Sequence, residues 1–184
     1  MVSVNFAAAA AALGIGASAS AGIVTVSQTF YNASFAARTF EYVQLMPTAG
    51  SSSGSNWVMN GSVSATLSDL NGNGGFFSSA GLPVFRATID DVTVASLWSE
   101  PFTFALSGPY LSESVDPASF SNLAVPAGSN PEGMLGIVLR FTLSAGDALT
   151  ISGTFEVAQA TPAPGVASLL VIAAGSGFGR RRRS

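Results

Sequence analysis

Apolar residues fall on every second position through most of the middle of this chain, a period that belongs to extended strands. Over residues 56–67 one phase carries Trp57, Met59, Val63, Ala65 and Leu67, with Gly61 in series; the other carries Asn60, Ser62, Ser64 and Thr66. Residues 136–143 set Ile137, Leu139, Phe141 and Leu143 against Arg140 and Thr142. Residues 147–157 set Leu149, Ile151, Phe155 and Val157 against Thr150, Ser152, Thr154 and Glu156. Phe102, Phe104 and Leu106 give a shorter version, and further strands are expected at 23–30, 38–45 and 84–97. In the last of these the phase flips between Ile89 and Val92, so Asp90-Asp91 marks a bulge or a turn. One wet, polar face per strand fits antiparallel sheets in two layers. The expected fold class is all-β, a single antiparallel β-sandwich of about seven to nine strands with jelly-roll or Greek-key connections.

Between the strands, residues 48–55 form a Ser/Gly segment that reads as a flexible turn, and Asn71-Gly72-Asn73-Gly74-Gly75 favours positive φ and a tight loop. Residues 107–132 hold Pro109, Pro117, Pro126 and Pro131 and read as a long loop. A helical turn over 117–122 would shorten it. The Asn-x-Ser triplets at Asn32 and Asn60 carry no weight at this stage.

The chemistry this chain excludes is clearer than the chemistry it offers. It contains no cysteine and no histidine. Ser-His-Asp and Cys-His catalysis are therefore absent, as is zinc held by those ligands, and the fold has no disulfide staples. All ten acids lie between Glu41 and Glu156, and residues 22–160 hold only Arg38, Arg86 and Arg140 beside them, so residues 22–160 carry a net charge of −7. There is no lysine, which also removes Schiff-base chemistry. A surface this acidic repels nucleic acid and attracts cations or basic partners.

The two ends differ from the middle. Residues 6–15 are an apolar stretch with six consecutive alanines, followed by Ala17-Ser18-Ala19-Ser20-Ala21. That pattern is a secretory signal with cleavage after Ala19 or Ala21, too short to span a bilayer. At the other end Thr161-Pro162-Ala163-Pro164-Gly165 precedes an apolar run of 13 residues, 166–178, then Gly179 and Arg180, Arg181, Arg182 and Arg183. The prolines disfavour helix before Gly165, and the run as a helix spans roughly 20 Å against a bilayer core of about 30 Å. Four guanidiniums resist transfer across lipid and stay on the cytoplasmic side. A short stop signal handed to a processing enzyme fits these parts.

This tail resembles the PEP-CTERM sorting signal of bacterial exported proteins, in which a Pro-Glu-Pro motif precedes a hydrophobic helix and an arginine-rich end. Here Ala163 stands in place of the glutamate. The resemblance implies recognition of Pro162, Ala163, Pro164 and Gly165 by a membrane sorting protease of the exosortase type, with the arginines as the stop-transfer element. The chain then divides into a signal peptide (1–21, a signal helix), an exported sandwich (22–160) and a sorting signal (161–184, ending in a hydrophobic helix). Its expected partners are the secretion channel, signal peptidase and the sorting protease. Its expected location is the bacterial envelope, surface or extracellular matrix, with transient or retained inner-membrane anchoring.

Three constellations within 22–160 bear on function. Asp69-Leu70-Asn71-Gly72-Asn73-Gly74 matches the opening of a calcium loop, with Asp69, Asn71 and Asn73 as oxygen ligands. The twelfth position is Ala80 rather than a bidentate acid, so turn chemistry is the plainer reading. Calcium is the one cofactor this motif would admit; otherwise none is expected. Asp90, Asp91, Glu100 and Glu113 could include a hydrolytic carboxylate pair, but no particular pair stands out and solvated surface acids are the plainer reading. Among the aromatics, Trp57 sits in phase with the core, whereas Trp98 and Tyr110, near strand ends, are the expected exposed rings for stacking on sugar. The reading that follows is a non-catalytic, exported surface or matrix protein; the alternative is a carbohydrate-binding module for an extracellular polysaccharide, aided by calcium.

Overall fold

A computed structural model describes residues 20–48 and 56–160. The expected signal helix, most of the 48–55 turn, the sorting motif, the hydrophobic run and the arginine cluster lie outside the described residues. Every regular element among those described is a strand.

Ten strands occur: β1 (Ser20–Tyr31), β2 (Arg38–Pro47), β3 (Trp57–Asp69), β4 (Phe76–Ser78), β5 (Phe85–Ile89), β6 (Val92–Leu97), β7 (Thr103–Ala105), β8 (Ser112–Ala124), β9 (Met134–Leu143) and β10 (Asp147–Gln159). They form two antiparallel sheets. The first has the order β1-β10-β3-β8. In the second, β9 is the spine: β2 pairs along one side, while β5 and then β4 share the other, backed by β6 and β7. All-β antiparallel architecture with two packed layers is thus what the period of two requires.

The inward phases match those read from the sequence. Met59, Val63, Leu67, Ile137, Leu139, Phe141, Leu149, Ile151, Phe155 and Val157 are all buried. Phe141 centres an aromatic cluster, with Phe30 at 5.0 Å edge-on and Phe40 stacked at 5.6 Å. The turn at Asp90-Asp91 has positive φ at both residues, 48° and 65°, the mirror-image hairpin turn that follows strand twist. Asp90 Oδ1 accepts from Met134 N at 2.8 Å and fastens this turn to β9.

Two elements correct the sequence reading. The supposed loop with a helical turn at 117–122 contains β8, a strand of 13 residues. Its alternation is hidden because the register slips twice against β3, between Met59 and Gly61 and between Val63 and Ala65. Each slip leaves one extra residue on β8, and Asp116-Pro117 falls in one of these bulges on an edge strand, where a missing N–H is tolerated. The second element is β4, whose three residues are too few to show a period.

Candidate functional site

At one end of the sandwich β3 finishes at Asp69 and β10 starts at Asp147, and the antiparallel register sets these acids directly opposite each other. Both are buried, at 3 % and 0 % exposure. They are the inward-phase positions after Leu67 and before Leu149, so the strands carry two carboxyls into the end of the core.

Asp69 is satisfied by backbone alone. Its Oδ1 accepts from Asn71 N at 3.1 Å and Gly72 N at 2.8 Å; its Oδ2 accepts from Gly74 N and Tyr110 N, both at 3.0 Å. Gly72 and Gly74 have φ of 76° and 85°, the left-handed turn conformation that aims these amides inward. Burial pushes the Asp69 carboxyl up, but the amides of Tyr110, Gly72, Gly74 and Asn71 together outweigh it and hold the group below its usual range.

Asp147 lies on the other side of that balance. Burial is the largest cause and raises it, Ser144 opposes, and the neighbouring charge of Asp69 raises it further. The hydrogen bonding agrees. Ser144 Oγ accepts from Phe76 N at 2.8 Å, lies 2.9 Å from Phe76 O as a donor, and also meets Asp147 Oδ2. One hydroxyl proton cannot serve both Phe76 O and Asp147, and Asp147 Oδ1 is buried with no hydrogen-bond partner, so the Asp147 carboxylate is poorly solvated here. The two opposed carboxyls are thus held on opposite sides of their usual range, Asp69 below it and Asp147 above it.

The candidate calcium residues sit in this turn with other duties. Asn71 Nδ2 donates to Ala145 O at 2.8 Å, pinning the β9–β10 hairpin, while Asn71 Oδ1 accepts from Asn73 N at 3.1 Å. The oxygens that a cation would need from Asp69 and Asn71 are directed at N–H groups. Among the described residues no cluster of three or more acidic side chains is placed to hold a metal.

Asn32 was passed over in the sequence and completes this end. It is 1 % exposed, and its Nδ2 donates to the carbonyls of Ala36, Leu143 and Ser144, each at 2.9 Å. The available signal was phase: Asn32 continues the inward series of Val24, Val26 and Phe30, as Asp69 and Asp147 continue theirs. A polar residue on an inward phase at a strand end marks a buried network.

The two rings expected at the surface separate. Trp98 is corrected to a core residue: it is 8 % exposed, stacks on Phe102 at 5.3 Å, meets Phe77 edge-on, and donates Nε1–H to Asp116 O at 3.2 Å. Tyr110 is 70 % exposed and lays its ring over Gly72, where an added Cβ would come within 2.2 Å of the ring. Trp57 is half-buried and lines a shallow groove of about 380 Å³ with Val58, Val125, Pro126, Ser129 and Pro131. The surface acids do not converge either. Asp90 and Asp91 cap the β5–β6 turn near Met134, whereas Glu113 pairs with Leu67 at the far end of the other sheet and accepts from Ser107 Oγ at 2.6 Å.

The centre of the outer face of the four-stranded sheet is hydroxyl, with Ile23, Glu156 and Asn60 toward one end and Tyr31 toward the other. One row across the strands is Thr25, Thr154, Ser62 and Ser119; another is Thr29, Thr150, Thr66 and Ser114; between them run Ser27, Ser152 and Ser64. Cross-strand pairs bond to each other, as Thr29 with Thr150 at 2.9 Å and Ser62 with Thr154 at 2.9 Å. No protein-family model matches the chain, and no match is found among curated proteins.

Asp147→Asn is expected to stabilise the domain, raising Tm by about 3 °C at pH 7. The amide can donate to Ser144 and, being uncharged, faces Asp69 without the repulsion that raises Asp147. An acid whose folded pKa is raised contributes fully below its unfolded pKa of about 3.9 and loses that contribution as pH rises through the folded value. The gap between Asp147→Asn and the parent should thus open as pH climbs above about 4. A gap that stays constant with pH in thermal melts contradicts a raised Asp147 in the folded state.

Proposed function

We propose that this chain is a non-catalytic protein of the bacterial surface or extracellular matrix, exported by its N-terminal signal and sorted by its PEP-CTERM-like tail. The observation that carries this reading is that every described strand lies between the two predicted signals. The first strand starts at Ser20, immediately after the predicted cleavage point at Ala19, and the last ends at Gln159, two residues before Thr161 opens the sorting segment. Cleavage at Ala19 and at 162–165 leaves all ten described strands intact. Cleavage after Ala19 keeps all of β1, whereas cleavage after Ala21 takes its first two residues, which favours Ala19.

The rest of the domain supports a scaffold role. Asp69 gathers the amides that tie strand ends together, the centre of the outer sheet face is neutral hydroxyl, and the Glu41–Arg140 ion pair at 3.3 Å is exposed and worth little. Mass spectrometry of the protein recovered from the envelope of its producing cell tests the reading. The expected mature form begins at Ser20 and ends within 162–165. Recovery of an intact, cytosolic chain bearing both Met1 and the arginine cluster overturns it.

A further inference from the structure

The edges of the two sheets are unequal. β8 is bulged twice and carries Glu113, Asp116 and Pro117; β2 carries Arg38 and Glu41 and ends at Pro47; β6 is short and bulged, and β7 has three residues. Each has a device of the kind that blunts an edge against further pairing. β1 has none. From Gly22 to Tyr31 it pairs with β10 without interruption, no strand among the described residues pairs on its other side, and the segment Ile-Val-Thr-Val-Ser-Gln-Thr-Phe-Tyr contains no charge and no proline.

The free edge is also self-complementary. Asn32 N donates to Asp147 O at 3.0 Å in the same register, so even-numbered residues bond to β10 and the odd-numbered ones present N–H and C=O outward. A two-fold axis through Ser27 pairs odd with odd: Ser27 with Ser27, Thr25 with Thr29, and Ile23 with Tyr31. The hydroxyl rows then continue from one copy into the next, and the ends form an aliphatic–aromatic cross-strand pair. Ile23 and Tyr31 are large apolar side chains left 42 % and 55 % exposed at opposite ends of the same strand face. This pairing covers both.

We propose that the chain self-associates through β1, two copies pairing antiparallel about Ser27 so that their four-stranded sheets become one. The partner is a second copy of this chain, and the isologous contact closes as a dimer. The inference stands independently of export, since it rests on the edge alone.

The full chain has no cysteine, so a single Ser27→Cys places one thiol per copy at the axis. Directly opposed hydrogen-bonded residues have Cα atoms about 5.5 Å apart, inside the range a disulfide spans. Mild oxidation of full-length Ser27→Cys should give a disulfide dimer on a non-reducing gel, at least about fivefold more than Thr25→Cys, whose thiols lie four residues apart along the strands, ~13 Å. Mixing Thr25→Cys with Thr29→Cys chains should restore the cross-link. Thr25→Pro added to Ser27→Cys removes an outward N–H without touching β10, so the cross-link should be lost while the circular dichroism spectrum stays unchanged. No dimer from Ser27→Cys, equal yields at both positions, or a cross-link indifferent to Thr25→Pro each overturns the proposal; the first is also the result if another segment of the same chain occupies this edge.

Discussion

Asn32→Ala should cost the domain about 3 kcal/mol, on the order of 10 °C in Tm, with little change in the unfolding slope. One buried amide holds three carbonyls from two separate loops: Ala36 in the β1–β2 connection, and Leu143 and Ser144 where β9 ends. Its Oδ1 accepts from Ser34 N at 3.1 Å and Ser34 Oγ at 2.6 Å, closing the local turn. The main chain adds Asn32 N to Asp147 O and Gly146 N to Asn32 O, so the residue joins both sheets. Alanine leaves the Leu143 and Ser144 carbonyls without these donors in a site that water does not reach, and desolvation without a partner is the costly half of a lost hydrogen bond. Asn32→Asp should be at least as damaging, because a carboxylate would face carbonyl oxygens. Asn60→Ala is the internal comparison: its side chain reaches Glu156 at 3.3 Å and Asn122 N at 2.9 Å near the surface, and about 1 kcal/mol or less is expected. Urea melts of the two variants side by side decide the matter. Equal, small losses would mean that the Asn32 amide is dispensable.

The contrast between these two asparagines shows what the sequence makes legible. Both stand in Asn-x-Ser triplets, and nothing local distinguishes them. Their phase does: Asn60 alternates with the inward Met59, whereas Asn32 lies on the inward series of β1 itself. The same period placed the core strands and the turn at Asp90-Asp91, because side-chain alternation is a backbone property that survives any tertiary context. It failed at β8, where two extra residues reset the phase within one strand, and at Trp98. There a left-handed backbone at φ 50° turns the ring into the core just where a strand-end position suggests exposure. The calcium-like motif is a different case. Its oxygens at alternate positions are the ones a tight loop needs to gather its own amides, so spacing alone does not separate a cation site from a turn.

Asp69→Asn should lower Tm by on the order of 10 °C at pH 7, and the deficit should shrink in acid. The carboxylate offers four lone-pair directions to the amides of Asn71, Gly72, Gly74 and Tyr110. An asparagine keeps one oxygen for two of them and turns an NH₂ group toward the other two, donor against donor. Because the folded state holds Asp69 below its usual range, its contribution is fully present above the unfolded pKa of about 3.9 and is lost as pH falls through the folded value. Parent and variant should therefore converge as pH is lowered from 7 toward 3, the reverse of the trend for Asp147→Asn. Part of the loss is offset, since neutralising position 69 lets Asp147 ionise with less repulsion. The double variant Asp69→Asn/Asp147→Asn isolates that coupling: it should be less stable at pH 7 than the sum of the single changes, because the repulsion relieved by each replacement can be relieved only once. Strict additivity at pH 7 would mean that the two carboxyls, although opposite in register, do not share their ionisation.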